Sequence, residues 1–382
     1  MKINNKVRRL FYYFKFLDEV NAKILEALGK HGSRNITALA RSVNLPVTTV
    51  RFRFRKMMKD WQVKVMIHPN LCKLGLAKAF IIAESPLGRH KKLLKAIRNT
   101  DYWTYIIRCY GKYDGYCAYF AFPAKHMSKL EEYWLKAKKL QVTSHYKFFW
   151  ITNSYVVPPN FSWYDFKRKE WNFRWKECAN NIVNQSEKLP KVLRDPPRYS
   201  IEVDKKDLLI IKELEKNEAI EFKELAKIVR ITPQGVGARY RSHILQRNLI
   251  ASYIVDVYLF PLEISDLYVF IIDFPNKGCL AKFANACREQ PFAVSYAKVI
   301  GKNSLIINIH VPKMEFPKLI ELLNWLYEQK IIKDFFYVTL DPTSFQRQTI
   351  SYEFFENGRW IYNHKEKLKK LERIARNKIA EI

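Results

Sequence analysis

The side chains best suited to chemistry fall in one short stretch, residues 45–60, which reads LPVTTVRFRFRKMMKD. Pro46 is tolerated in a first helical turn, and Val47, Val50, Phe54, Met57 and Met58 then recur at the spacing of one buried helical stripe. That leaves Thr48, Thr49, Arg51, Phe52, Arg53, Arg55, Lys56 and Lys59 facing outward. Such a face suits a DNA duplex: guanidinium and hydroxyl groups hydrogen-bond base edges, a phenyl ring meets a thymine methyl, and further cations neutralise phosphates. Thr48, Thr49, Arg51 and Phe52 are therefore expected to read bases. Arg53, Arg55, Lys56, Lys59 and, just past the helix, Lys64 are expected to hold phosphates. The bland alternative, a solvated charged face, must also explain the charge of the whole chain. Lys plus Arg number 67 against 37 Asp plus Glu, a formal net of +30, and residues 1–157 alone carry 30 basic against 9 acidic residues. So large an excess is costly in self-repulsion unless a polyanion or anionic surface is the partner.

The elements that must present this face are legible from periodicity and from a repeat. Sliding the sequence by 186 residues aligns 17–60 with 203–246 without a gap: Asp18 meets Asp204, Ile24 meets Ile210, Leu28 meets Leu214, Val50 meets Val236, and Arg53 and Arg55 meet Arg239 and Arg241. In the first copy Val20, Ile24, Leu25 and Leu28 mark one helix, Ile36, Leu39, Ala40 and Val43 a second, and the basic stretch a third. This is a helix-turn-helix, with residues 63–67 read as a wing strand. In the second copy the corresponding contacts are Gln234, Arg239, Arg241 and Arg247. Gly235 and Gly237 each cost its third helix about 1 kcal/mol, so the first copy is expected to dominate.

After each such unit comes a strand, helix, strand, strand, helix, strand pattern. The strands fall near 78–83, 103–110, 115–122 and 142–151, then near 268–274, 293–300, 304–311 and 332–340. The helices fall near 89–99, 125–139, 280–289 and 315–328. The pattern predicts an α+β chain with two ferredoxin-like antiparallel sheets whose open faces pack together. The expected domains are winged helix-turn-helix units at 1–66 and 203–255, ferredoxin-like units at 67–157 and 256–345, an aromatic and Pro-rich linker at 158–202, and a basic C-terminal helix at 346–382. Trp163, Trp171 and Trp175 read as linker aromatics pinned to a domain surface, with base stacking as the alternative. The C-terminal pattern from residue 363 reads as a packing helix, with phosphate contact as the alternative.

Six cysteines show no C-x-x-C pair and no companion histidine spacing, so neither metal nor cofactor is expected, and the thiols should be reduced and mostly buried. Cys109 and Cys117 could face each other across a hairpin, though a disulfide is not expected there. No apolar run reaches the length of a membrane span, and the N-terminal residues lack a signal-peptide core, so a cytoplasmic, nucleoid-associated protein is expected.

The stretch LDEVNAKILEALGKHGSRNITALARSVNLPVTTVRFRFRKM, residues 17–57, resembles the DNA-binding segment of leucine-responsive/asparagine-type (Lrp/AsnC) transcription regulators of bacteria and archaea. The βαββαβ unit resembles their ligand-sensing and assembly domain, HPNLCKLGL at 68–76 their hinge, and CYGKYD at 109–114 their glycine-containing turn. The resemblance implies a regulator that binds double-stranded DNA and an effector at Gly111, Lys112, Tyr113 and Asp114. A simple hairpin turn is the plainer reading of those four residues. Family members usually carry one copy per chain, so two copies imply a fused pseudo-dimer, open to further homo-dimerisation. The second copy's turn, Gly301 to Ser304, lacks the aspartate. The main rival is RNA or ribosome binding through the same basic surfaces. Siroheme decarboxylases share the architecture. However, a histidine-bearing second strand like theirs is missing from 102–110, and no nucleophile and base pair stands out, so no enzymatic activity is expected.

Overall fold

In the computed structural model, residues 17–376 are described; the N-terminal basic stretch and the last six residues lie outside them. The first unit holds three helices, α1 (Glu19–His31), α2 (Ile36–Ser42) and α3 (Val47–Asp60). Their ends are set locally. The Asp18 side chain accepts from the Asn21 amide at 2.7 Å to cap α1, and Asn35 caps α2 by accepting from the Ala38 amide. Gly32, at φ 72°, ends α1 where a Cβ would stand 2.5 Å from the Tyr253 ring of the second copy. Leu25, Leu28, Leu39, Val50, Phe54 and Met57 interlock as the core, each burial worth about 2 kcal/mol. Val47 and Met58 are only half-buried.

Strand β1 (Val65–Pro69) follows. The first α/β unit then runs β2 (Leu76–Glu84), α4 (His90–Arg98), β3 (Trp103–Gly111), β4 (Gly115–Pro123), α5 (Met127–Lys139) and β5 (Tyr146–Ile151). Next come the short strands β6 (Tyr155–Val156), β7 (Tyr164–Asp165) and β8 (Glu170–Trp171), and helix α6 (Trp175–Asn184). A second trio of helices, α7 (Lys205–Lys216), α8 (Phe222–Val229) and α9 (Pro233–Arg239), leads through a π-helical turn, Tyr240–Leu245, into β9 (Ile250–Val255). The second α/β unit is β10 (Ser265–Asp273), α10 (Lys277–Cys287), β11 (Ala293–Lys298), β12 (Ser304–Pro312), α11 (Phe316–Glu328) and β13 (Asp334–Arg347). The hairpin β14 (Phe355–Glu356) and β15 (Arg359–Trp360) and helix α12 (His364–Arg376) complete the described chain.

Nine strands join in the order β5-β2-β4-β3-β13-β10-β12-β11-β6. Each α/β unit contributes the antiparallel order fourth, first, third, second strand of a ferredoxin-like sheet. The units meet at their edges as well as on their faces. The 14-residue β13 pairs with β10 over its first half and with β3 of the other unit over its second. Reciprocally, the β5–β6 segment leaves β2 and reaches β11, with an Ile151–Val299 bridge between. The sheet thus closes nearly on itself, leaving no long open edge. Its inner faces pack through Phe80, Ile82, Ile107, Val269, Ile271 and Val338.

The exchange continues beyond the sheet. The region 158–202 is a folded element: α6 follows the first unit yet packs on the second, with Cys178 and Ile182 buried among Leu280, Leu319 and Leu323, while Tyr164 of the β7–β8 hairpin is buried in the core of the first three helices. The C-terminal β14–β15 and α12 pack on the first unit, where Leu371 is buried near Leu93 and Leu130 and Lys367 pairs with Asp101. Linker and tail are therefore equivalent elements, and the structural repeat is longer than the sequence match. Trp163, Trp171 and Trp175 stack among Phe161, Phe173 and Phe292, and the Trp175 indole donates to Glu315 at 2.7 Å. All six cysteines are free thiols; Cys109 and Cys117 are buried, and burial pushes the Cys117 thiol well up.

The wing requires correction. β1 does not fold back on its own unit; it pairs antiparallel with β9 of the second copy, Val65 opposite Val255 and Ile67 opposite Tyr253. Two short apolar strands gain from pairing in a ribbon because each alone would leave its backbone groups unpaired. The ribbon ties the two trios together.

Candidate nucleic-acid interface and the cavity behind it

Helix α3 presents Thr48, Arg51, Phe52, Arg55, Lys56 and Lys59 to solvent, and Thr49 is half-buried. Phe52 is 69% exposed among these cations. Among the described residues, no ion pair engages Arg51, Arg55, Lys56 or Lys59. Lys64 is also exposed, beside the start of β1.

Arg53 differs from the expectation. Its guanidinium donates to Asp18 at 2.6 Å and to Asn21 at 3.0 Å, clamping α3 to the capped end of α1. Its counterpart Arg239 does the same, at 2.8 Å to both Asp204 and Asp207, with His243 completing the cluster. Burial opposes the Asp204 charge, but the Asp207 amide and Arg239 together hold its carboxyl below the usual range. These two arginines are struts, because the acids that cap each first helix lie within reach of the third.

The second trio presents less. Helix α9 has seven residues, capped by Thr232, which accepts from the Gly235 amide at 3.1 Å. A Cβ on Gly237 would meet the Phe222 ring at 3.4 Å, an ordinary contact, so the packing of α8 on α9 does not itself demand a glycine there. Gln234 and Arg241 are exposed, while the Arg247 guanidinium donates to the Glu202 carbonyl at 2.7 Å. This trio also receives a loop of the first. Arg34 lies over the Phe222 and Tyr240 rings at 4.6 and 5.0 Å, donates to the Ile220 carbonyl at 2.6 Å and pairs with the buried Glu218, which also accepts from the Ser33 amide at 2.9 Å. Burial depresses the Arg34 pKa, and Glu218 counteracts it.

The turn matched to an effector site is internally satisfied. Arg108 pairs with Asp114 at 2.7 Å, Tyr113 is buried, Lys112 sits over the Phe336 ring, and Gly111 has φ 104°. None of the four lines the cavity described next.

Between the β1–β9 ribbon and the near end of the closed sheet lies a cavity of about 490 Å³. Lys78 on β2 projects into it, buried, with its ammonium 2.9 Å from His68 Nε2 and 2.7 Å from the Ser154 hydroxyl. Burial lowers the Lys78 pKa to about 7 and holds His68 well below its ordinary value. Tyr119 and Asn308 share a 3.0 Å hydrogen bond beside them. Glu215, also lining the cavity, accepts from the Ile350 amide at 2.9 Å, and burial raises its pKa to about 7. Sequence reasoning missed this site. Its residues come from both copies, and Lys78 sits in LAKAFII, which reads as an ordinary strand with one outward cation. Among the described residues no His, Cys, Asp and Glu group could hold a metal, and no helix is long and apolar enough to cross a membrane.

Comparison with known proteins corrects one expectation. The siroheme decarboxylase NirDL superposes with a TM-score of 0.51 at 13% identity, covering 93% of this chain and all of that one. The fold is shared over 93% of this chain with an enzyme, so the expectation that this chain is not an enzyme does not stand. That expectation rested on a missing strand histidine and missing contiguous motifs, whereas the cavity gathers His68 and His310 from separate copies. In sequence, an uncharacterised HTH-type transcriptional regulator of Pyrococcus furiosus is 34% identical over 70 residues, 18% of this chain and 47% of that protein. Its counterpart in Pyrococcus horikoshii matches at the same identity and coverage. The chain spans about half the length of these curated relatives. Over its first three helices, residues 17–58 match the AsnC-type helix-turn-helix domain.

Proposed function

We propose that the chain is a transcriptional regulator that binds duplex DNA through α3, with the second trio bracing the first and adding a weaker contact. The observation that carries this reading is the outer face of α3, where Arg51, Arg55, Lys56 and Lys59 stand exposed and without acidic partners around an exposed Phe52. In helix-turn-helix recognition the third helix enters the major groove, which matches Thr48, Thr49, Arg51 and Phe52 as base contacts and Arg55, Lys56 and Lys59 as phosphate contacts. A chain that neutralises roughly 8 phosphates loses affinity with a log–log salt slope near −7. One chain holding two copies acts as its own pseudo-dimer, and unequal trios suit an asymmetric site.

The test is selection of bound sequences from a random duplex pool at about 0.2 M salt with structured RNA as competitor, since salt suppresses non-specific attraction. The expected result is an enriched, asymmetric duplex motif. RNA winning the competition with no duplex motif recovered would overturn the reading in favour of RNA binding.

A further inference from the structure

A second feature stands apart from the DNA-facing helix: the cavity between ribbon and sheet. At about 490 Å³ it lies in the size range of small-molecule sites. Its lining combines a few polar groups with apolar surface. Lys78, His68 and Ser154 are its polar lining; Tyr105, Ile254 and Leu267 add apolar surface, with Ile254 on the same ribbon as His68. The lysine is the anomaly. A buried ammonium is costly, and proteins ordinarily set a carboxylate against it. Among the described residues Lys78 has none: its hydrogen-bond partners are a ring nitrogen and a hydroxyl, with the Tyr119 ring 5.4 Å away. The buried carboxylate on the wall, Glu215, makes its own hydrogen bond to the Ile350 amide and has Arg347 as its cationic neighbour.

We propose that this cavity binds a small carboxylate with an apolar aromatic or branched body, its carboxylate on Lys78 and Ser154 and its body against Ile254 and Leu267. The incoming carboxylate supplies the missing counter-charge in a low-dielectric site, where a charge-assisted hydrogen bond is strong. The single cation selects one carboxylate; the apolar lining disfavours small inorganic anions. Because one wall is the ribbon that joins the two trios, an occupant touches both copies at once.

The test is calorimetric titration of the full chain with 4-phenylbutyrate, its neutral amide and acetate. The expected result is saturable binding of the acid, with the amide and acetate at least about tenfold weaker. Lys78→Met, which removes the charge without adding bulk, should erase the difference between acid and amide. Ile254→Trp, which fills part of the cavity from the ribbon and leaves the cation in place, should weaken acid and amide alike. Equal binding of acid and amide, no saturable binding of the acid at millimolar concentration, or full acid binding by Lys78→Met would overturn the proposal. It stands independently of which helix reads DNA.

Discussion

The two three-helix units align without a gap at a 186-residue offset, yet they share some features and differ in others. Both retain the capped first helix and the arginine clamp, Arg53 to Asp18 and Arg239 to Asp204, at the same 186-residue offset. They part company on the outside. Helix α3 runs for 14 residues with an exposed basic face, whereas α9 runs for seven, contains two glycines and gives way to a π-turn. They differ again where they touch. Position 34 is an arginine that docks into the second trio; its counterpart is Ile220, whose carbonyl receives that arginine. The two units share what the fold requires and differ at the surface: one presents an exposed basic face and the other is the socket for its loop.

That division of labour can be broken at several points. The largest expected effect is at the socket. Arg34→Ala leaves Glu218 buried without its cation and should cost about 3–5 kcal/mol in denaturant unfolding. Ile220→Ala, at the equivalent place in the other copy, should cost less. Similar small losses from both would mean the docking does not hold the trios together.

The next effect concerns Glu215, whose counterpart in the first trio is Gly29, packed against Pro158. Its folded pKa is raised to about 7 from 4.5, so the native state holds the proton more tightly than the unfolded one. The stability it contributes is fully present below about pH 4.5 and is lost as pH rises through about 7. Glu215→Gln should therefore gain on the wild type by up to about 3 kcal/mol across that interval, measured as unfolding free energy against pH. Parallel curves for the two proteins would contradict the raised pKa.

The smallest effect separates struts from phosphate contacts. Arg53 and its partner Asp18 are partly exposed, so Arg53→Ala should cost no more than about 1 kcal/mol in stability. As a strut it should also leave the salt slope of DNA binding unchanged. A slope shallower by about 1 would return Arg53 to the phosphates.

Much of this architecture was legible because each unit's signals are local. Helical stripes such as Val50, Phe54 and Met57 and strand runs such as 78–83 placed the three helices and both βαββαβ orders within a few residues. What was not legible depends on pairing between copies. Nothing in VMIHP says that its partner is IASYIV, 185 residues on, rather than a hairpin neighbour. The extension of β13 onto β3 and the equivalence of linker and tail are likewise hidden, since after the third helices little recurs beyond scattered aromatics such as Trp171 and Trp360. At the candidate interface, residue type gave the exposed face of α3. It could not separate Arg53 from Arg55, because the difference lies in Asp18, a helix away. The cavity was invisible for the same reason.

The central claim, that the first trio rather than the second carries the duplex contact, is tested most directly by comparing two double variants at one salt concentration. Arg51→Ala with Arg55→Ala removes exposed cations of α3; Gln234→Ala with Arg241→Ala removes two exposed polar groups of the second trio, one on α9 and one just past it. With each base or phosphate contact worth about 1–3 kcal/mol, the first pair should weaken duplex binding roughly 100-fold or more and the second less than about tenfold. Equal losses, or a greater loss from the second pair, would contradict the account.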